Sequence, residues 1–259
     1  MVKTALITGA SSGIGLELAR IHASNGDNLV LVSRNKKKLL ELKNSLEKEH
    51  KISVFVISKD LSLVNSAKEI YDEVKKQKIS VDYLINNAGI GSFGEFNKGD
   101  WEVDSRMIQL NVTSLTYFCK LFLRDMVKRE NGKIMNVASI AGFQPGPLMA
   151  VYFATKAYVL HFSEAIGNEV KIHGVSVTAL CPGPTESGFE STAGMGNSIL
   201  FKGKKLPSSK DVALYGYHAM MKGKAVAVHG WMNRLLINMS RFVPRWLVVK
   251  IARRTVEKS

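Results

Sequence analysis

Ser139, Tyr152 and Lys156 are the residues of this chain whose types and spacing could do chemistry together. Tyr152 and Lys156 stand at i and i+4, which on a helix puts both side chains on one face, one turn apart. A free phenol has a pKa near ~10 and exchanges protons poorly at neutral pH. A neighbouring ammonium favours the phenolate and is expected to bring that pKa down toward the working range. Ser139 leaves an apolar strand just before a Gly/Pro-rich loop. Its hydroxyl could hold a substrate oxygen while the phenol exchanges a proton with it. Such equipment interconverts an alcohol and a carbonyl, provided a hydride carrier is at hand. Tyr-x-x-x-Lys alone is common by chance and describes two solvated helix residues equally well. The pair gains meaning only beside a nucleotide site.

The elements that would build such a site follow one another from the start of the chain. Val2 to Ile7 is an apolar run ending in Thr8-Gly9-Ala10-Ser11-Ser12-Gly13-Ile14-Gly15. Beyond it Ile14, Leu18 and Ile21 repeat at helical spacing until Asn25-Gly26. Strand, glycine-rich turn and helix in that order let backbone N–H groups and the positive helix end approach a pyrophosphate. The glycines fall as Gly-x-x-x-Gly-x-Gly, not as the standard Gly-x-Gly-x-x-Gly. Leu29 to Ser33 reads as the second strand, and Arg34 follows it. An acidic residue that binds the adenosine ribose 2′-hydroxyl of NAD would sit about there, ~20 residues past the glycines. A guanidinium instead matches a 2′-phosphate in charge and shape, so NADP(H) is expected over NAD(H). Lys36, Lys37 and Lys38 read as the solvated start of the next helix.

Ile52 to Ile57 is a third strand leading to Asp60-Leu61, and Val81 to Ile85 a fourth, ending in Asn86-Asn87-Ala88-Gly89. That polar turn falls at a strand's carboxyl end, where open α/β sheets place ligands. One long helix is expected from about Glu102 to Arg129, with Asn111 in its middle. Asparagine is a mediocre interior helix residue, so Asn111 either faces solvent or has a polar role. Lys133 to Ala138 delivers Ser139, and the Tyr152 helix runs to about Lys171. Val175 to Leu180 is closed by Pro182-Gly183-Pro184-Thr185-Glu186-Ser187, and Ala225 to His229 is the last strand. Strands alternating with helices imply a parallel sheet with right-handed crossovers, and near-continuous apolar strands suit burial on both faces.

With those residues in order, residues 2 to 190 resemble a classical short-chain dehydrogenase/reductase. The resemblance implies an α/β fold, a single-domain Rossmann-like doubly wound parallel sheet with helices on both faces, spanning 1–259. It implies a cofactor turn at Gly9, Ser11, Ser12, Gly13, Ile14 and Gly15, an adenine-side contact at Asp60 and Leu61, and a structural turn at Asn87, Ala88 and Gly89. It implies a catalytic tetrad of Asn111, Ser139, Tyr152 and Lys156. In that tetrad Tyr152 is the acid/base, Lys156 lowers its pKa and binds the nicotinamide ribose, Ser139 orients the substrate oxygen and Asn111 supports a proton relay through water. Pro182 and Gly183 match the segment beside the nicotinamide. The family usually follows it with a β-branched aliphatic residue and then a threonine, where this chain has Thr185 and Ser187; either hydroxyl could serve the carboxamide. Arg34 stands where NADP-preferring members carry a basic residue. The expected reaction is carbonyl–alcohol interconversion with NADP(H) on an apolar ketone, aldehyde, long-chain 3-oxoacyl or steroid-like substrate. Two alternatives stay open: an NADP(H)-binding sensor without turnover, and a sugar-nucleotide epimerase of the related extended family. A homodimer or homotetramer is implied.

The chain has 259 residues, 46% hydrophobic and 22% charged, an ordinary globular balance. Its net charge of +14 suits anionic membranes or phosphorylated ligands, and no arginine-rich arm, zinc-finger spacing or RNA motif points to nucleic acid. Gly188 to Pro207 is expected to form a substrate lid, with Met195, Ile199, Leu200 and Phe201 joining Phe143, Leu148, Met149 and Phe189 around an apolar pocket. Residues 231–259 interleave apolar and basic residues and could cover the cleft, meet a second subunit or lie on a membrane surface. Cys119 and Cys181 read as small buried thiols, which fits a reducing, cytoplasmic compartment. The six histidines show no metal-ligand spacing, and no metal is expected.

Overall fold

Residues 2–194 and 206–257 are described by a computed structural model. Among them the apolar runs form β1 (Thr4–Thr8), β2 (Asn28–Ser33), β3 (Val54–Ser58), β4 (Tyr83–Asn86), β5 (Gly132–Val137), β6 (Val175–Cys181) and β7 (Val226–Val228). The helices are α1 (Gly13–Ser24), α2 (Lys36–His50), α3 (Ser66–Lys76), α4 (Trp101–Ile108), α5 (Leu115–Lys128), α6 (Ala150–Val170), α7 (Phe189–Thr192), α8 (Ser209–Met221), α9 (Trp231–Ser240) and α10 (Arg245–Val256). The strands pair in the order β3-β2-β1-β4-β5-β6-β7, all parallel. This is the expected doubly wound sheet.

Alternation along each strand sends side chains to two separate cores. Leu6, Val30, Val32 and Leu84 pack with Ile70 and Val74 of α3, Phe118 and Phe122 of α5 and Val159 of α6. Ala5, Ile7, Leu29, Leu31 and Ile85 pack on the other face with Leu18 of α1, Leu39 and Leu42 of α2 and Val212 and Met220 of α8. Burial on both faces explains why these strands read as unbroken apolar runs.

The expected single helix around Asn111 is instead two, α4 and α5, joined by a wide π turn at Gln109–Ser114. Polar side chains pinned to neighbouring loops give the reason. Asn111 is 1% exposed; its Oδ1 accepts from Ile90 N at 3.0 Å, and its Nδ2 donates to Ile90 O at 2.9 Å and Thr155 Oγ1 at 3.1 Å. Ser114 donates to Leu61 O at 2.6 Å. A regular helix has one residue fewer over this stretch and would aim these groups elsewhere; such π bulges often mark functional sites. Asn111 thus has a polar role. It holds the segment after β4, as Ser114 holds the one after β3.

The chain reverses its progress across the sheet between β1 and β4, and a crevice opens there beyond the strand ends. Two side chains tie its walls. Thr8 Oγ1 accepts from Asn87 N and Ala88 N, both at 3.0 Å, and Asn87 Nδ2 donates to Thr8 O at 2.9 Å. Replacing the 2% exposed Thr8 by valine keeps the shape but takes the hydroxyl from Ala88 N–H, while Asn87 N–H retains its bond to Ile85 O at 3.1 Å; a donor left unsatisfied costs ~1–3 kcal/mol. Thr8→Val is expected to lower unfolding free energy by ~1–3 kcal/mol in urea titration. An unchanged midpoint would mean that the turn holds without this tie.

Candidate active site

The glycine turn lies at the end of β1, where α1 and the β4 turn crowd it. A side chain on Gly15 would run into Gly9 O and Asn87 Nδ2, and Gly9 has φ +67°, a left-handed conformation that glycine adopts freely. Ser12, the residue preceding α1, makes no side-chain cap to the helix, so the first-turn N–H groups face the cleft without that partner. A phosphate fits this position. Arg34, exposed at the end of β2, lines the same cleft with Ser33, Asn35 and Lys59. Burial raises the Asp60 carboxyl's pKa. The Ser62 N–H at 2.9 Å and hydroxyl at 2.7 Å, with Arg34 and Arg106 nearby, outweigh that and hold it below the usual range. Lys36, Lys37 and Lys38 are solvated at the start of α2, as expected.

Ser139 leaves β5 with its Oγ accepting from Ala141 N at 3.1 Å and donating to Pro182 O at 3.4 Å. Tyr152 and Lys156 project from the first turns of α6. Lys156 Nζ donates to Val137 O at 2.7 Å and lies 5.8 Å from the centre of the Tyr152 ring. Burial pushes the Tyr152 phenol up to about 12, against the opposing hydrogen bond with Ser139. Burial also brings the Lys156 amine down to about 8, while Cys181 nearby acts in the opposite direction. The expectation of a lowered phenol pKa is therefore corrected. Desolvation of the phenol wins, because the ammonium is itself desolvated and bound to a carbonyl rather than to the phenol oxygen.

These groups share one cleft of about 540 Å³. It is lined by Gly9, Ser11, Ser12, Gly13, Ile14, Arg34, Asp60, Leu61, Asn87, Ala88, Gly89, Ser139, Tyr152, Lys156, Pro182, Gly183, Thr185 and Ser187, all named from the sequence. Gly15 and Asn111 stand behind its wall. The Thr185 hydroxyl donates to Gly183 O at 2.9 Å and that of Ser187 to Thr185 O at 3.3 Å. Of the apolar residues expected around the pocket, Met149 and Phe189 line it, Leu148 packs behind, and Phe143 joins the α6-side core. Met195, Ile199, Leu200 and Phe201 lie outside the described residues. Phe189 sits against Tyr152 with ring centres 5.2 Å apart, over Gly91, where a side chain would meet the Phe189 ring edge at 2.6 Å. Sequence reasoning missed Lys59, Arg106, Phe153 and three residues of the last helix, Ala252, Thr255 and Val256. Phe153 was findable as the neighbour of Tyr152; contacts made across the chain's whole length leave no local signal.

A family model described as short chain dehydrogenase matches residues 3–196. The very-long-chain 3-oxoacyl-CoA reductase-B of Danio rerio is 36% identical over 186 residues, 70% of this chain and 58% of that protein. The chain thus spans less than two thirds of that curated relative's length. A solved short-chain dehydrogenase from Sphingobium yanoikuyae in complex with NADPH has a TM-score of 0.83 at 29% identity, covering 93% of this chain and 94% of that one. The bulky-bulky ketone specific alcohol dehydrogenase from Comamonas testosteroni gives 0.80 at 29% identity, covering 93% and 92%.

The Lys156 amine titrates near 8 in the folded chain and near 10.5 when free, so folding favours its neutral form. The destabilisation is complete below pH 8 and fades as pH rises through 8 to 10.5. Relative to Lys156→Met, the wild type should gain ~3 kcal/mol across that window in paired urea titrations. A constant difference between the two proteins would place the amine in contact with water.

Proposed function

The chain belongs to the short-chain dehydrogenases, oxidoreductases whose fold binds a nicotinamide cofactor, and we propose that it is an NADP(H)-dependent carbonyl reductase for an apolar substrate. The observation that carries this reading is the grouping of the Ser139 hydroxyl, Tyr152 phenol and Lys156 amine in a cleft whose neighbouring walls are Met149, Phe153, Phe189 and Val256. Names among its relatives, a very-long-chain 3-oxoacyl-CoA reductase and a bulky ketone dehydrogenase, agree with a bulky apolar carbonyl compound.

The residues present fit the cofactor. Side chains are excluded at the glycine turn where a pyrophosphate would approach, and the Arg34 guanidinium offers charge to a 2′-phosphate, whereas Lys59 beside the same cleft is paired with Glu69. Bound there, NADPH supplies the hydride. The protein's own part is the proton. Tyr152 donates it to the substrate oxygen as the carbonyl carbon is reduced, and Ser139 holds that oxygen by a hydrogen bond. Burial pushes the phenol up to about 12, so Tyr152 holds the proton it would donate. Lys156, near 8, can carry a proton or release one at neutral pH, and a water held beside Asn111 would complete the route by which Tyr152 is recharged. Lys156 and Asn111 both lie against Gly89, with a Cβ built there 3.5 Å from Lys156 Nζ and 3.2 Å from Asn111 Oδ1. We assign the carboxamide contact to Thr185 or Ser187, and a homodimer or homotetramer to the native state.

Oxidation of NADPH and NADH over ketones of increasing chain length tests this. Turnover should prefer NADPH and grow with chain length, and Tyr152→Phe should lower kcat by ~10²–10⁴ while still binding NADPH. Arg34→Leu should raise the KM for NADPH by ~10–100-fold, the loss of one charge-assisted contact, and leave NADH almost unaffected. Tight NADPH binding without turnover on any carbonyl would make the protein a sensor, and a preference for NADH would remove the role given to Arg34.

A further inference from the structure

The last two helices turn apolar side chains away from the fold. On α9, Trp231, Leu235 and Met239 recur at i, i+4 and i+8, with Met232 and Leu236 beside them, forming one stripe. Their exposures run from 47% to 68%. Phe242, in the turn before α10, is 90% exposed, and Trp246 in the first turn of α10 is 68% exposed. The stripe faces outward because the opposite side of α9 is anchored. Asn233 Nδ2 donates to His229 O at 2.8 Å, and Ile237 packs against the core. Single exposed apolar residues need no explanation, but a stripe continued by a phenylalanine and a tryptophan marks a surface that something covers.

Charge says what covers it. Residues 231–257 carry six exposed cations, Arg234, Arg241, Arg245, Lys250, Arg253 and Arg254, against the single acid Glu257, which already accepts from Arg253 Nε at 3.0 Å. A second copy pressed face to face would bring these cations against their own kind. A nucleic acid would answer the charge and leave the apolar stripe in water. An anionic leaflet answers both, with phosphates for the arginines and acyl chains for the stripe. The net charge of +14 on the whole chain acts in the same sense.

The geometry points to α9 and α10 as a docking surface for an anionic lipid bilayer. The stripe would lie at the boundary of headgroups and acyl chains with the helix in the membrane plane. No described helix is long and apolar enough to cross a membrane, so the contact is with one leaflet. The inner side of α10 carries Ala252 and Val256, each 2% exposed, and with Thr255 it lines the cleft. Docking therefore brings the roof of the cleft to the lipid surface. Lipid docking goes beyond the reductase reading and is tested without turnover.

The full chain is mixed with vesicles of phosphatidylcholine alone, or of phosphatidylcholine with phosphatidylglycerol, and sedimented. Trp231, Trp246 and Trp101 are the three tryptophans, and their fluorescence is followed with brominated phosphatidylcholine in the vesicles. Binding to the anionic vesicles, weakened by salt and accompanied by quenching, is expected. Arg241→Glu with Arg245→Glu should weaken it by roughly fivefold or more per cation removed. Leu236→Asp with Phe242→Asp should remove the quenching, and both positions are exposed enough for circular dichroism to stay native. Equal binding to neutral and anionic vesicles, or to neither, overturns the proposal. So does a lipid-free dimer that Phe242→Asp dissociates, which would make the stripe an interface between copies.

Discussion

The tie between Thr8 and Asn87 is the constraint on which the site depends. Parallel strands cannot close their own carboxyl ends, because each must leave by a crossover. Where the crossovers diverge, between β1 and β4, a gap opens beyond the strand ends. The gap keeps its width only if the two emerging turns are fastened to each other. One buried hydroxyl accepting two N–H groups, with one amide returning a hydrogen bond, does so. The glycine turn, Asn87 and Gly89 are placed by that fastening, and α1 begins from it.

A second layer of polar side chains extends the fastening outward. Asn111 and Ser114, on the π turn between α4 and α5, bind the backbone after β4 and β3. Asn111 also donates to Thr155, the residue before Lys156 on α6. The β4-turn side of the cleft and the Tyr152 side thus share a polar network, whose groups would be left unpaired by a shift of either wall. Within this setting the phenol and amine lose water together. Their pKa values move in opposite directions, each toward favouring the neutral form, which keeps a proton on Tyr152 and frees Lys156 to exchange one.

The segment that carries α9 and α10 presents two faces to unlike surroundings. Its inner residues exclude water from the cleft, where Val256 packs near Met149 and Phe153. Its outer residues are apolar and cationic, the pattern on which the lipid-docking proposal rests. An apolar compound partitions into lipid. Under the lipid-docking proposal, the cleft would meet such a substrate where it concentrates.

The sequence by itself determined the strand and helix order and the cofactor turn. It also placed the tyrosine and lysine one turn apart, because all of these follow from local spacing and from apolar periodicity. The doubly wound sheet was legible too, since alternating elements and unbroken apolar strands admit few other arrangements. Asn111 was legible as an oddity but not as a joint; the π turn arises from partners at Ile90 and Thr155, distant in the chain. The phenol's pKa escapes sequence reasoning for the same reason. A spacing of i to i+4 says which charge is near, whereas only packing says how much water has left. The last helix shows this most plainly: its basic amphipathic pattern fitted a lid, an interface or a membrane contact equally well. Tertiary structure alone decided that Ala252 and Val256 turn inward over the cleft, because that choice rests on Met149 and Phe153, residues far from them in the chain.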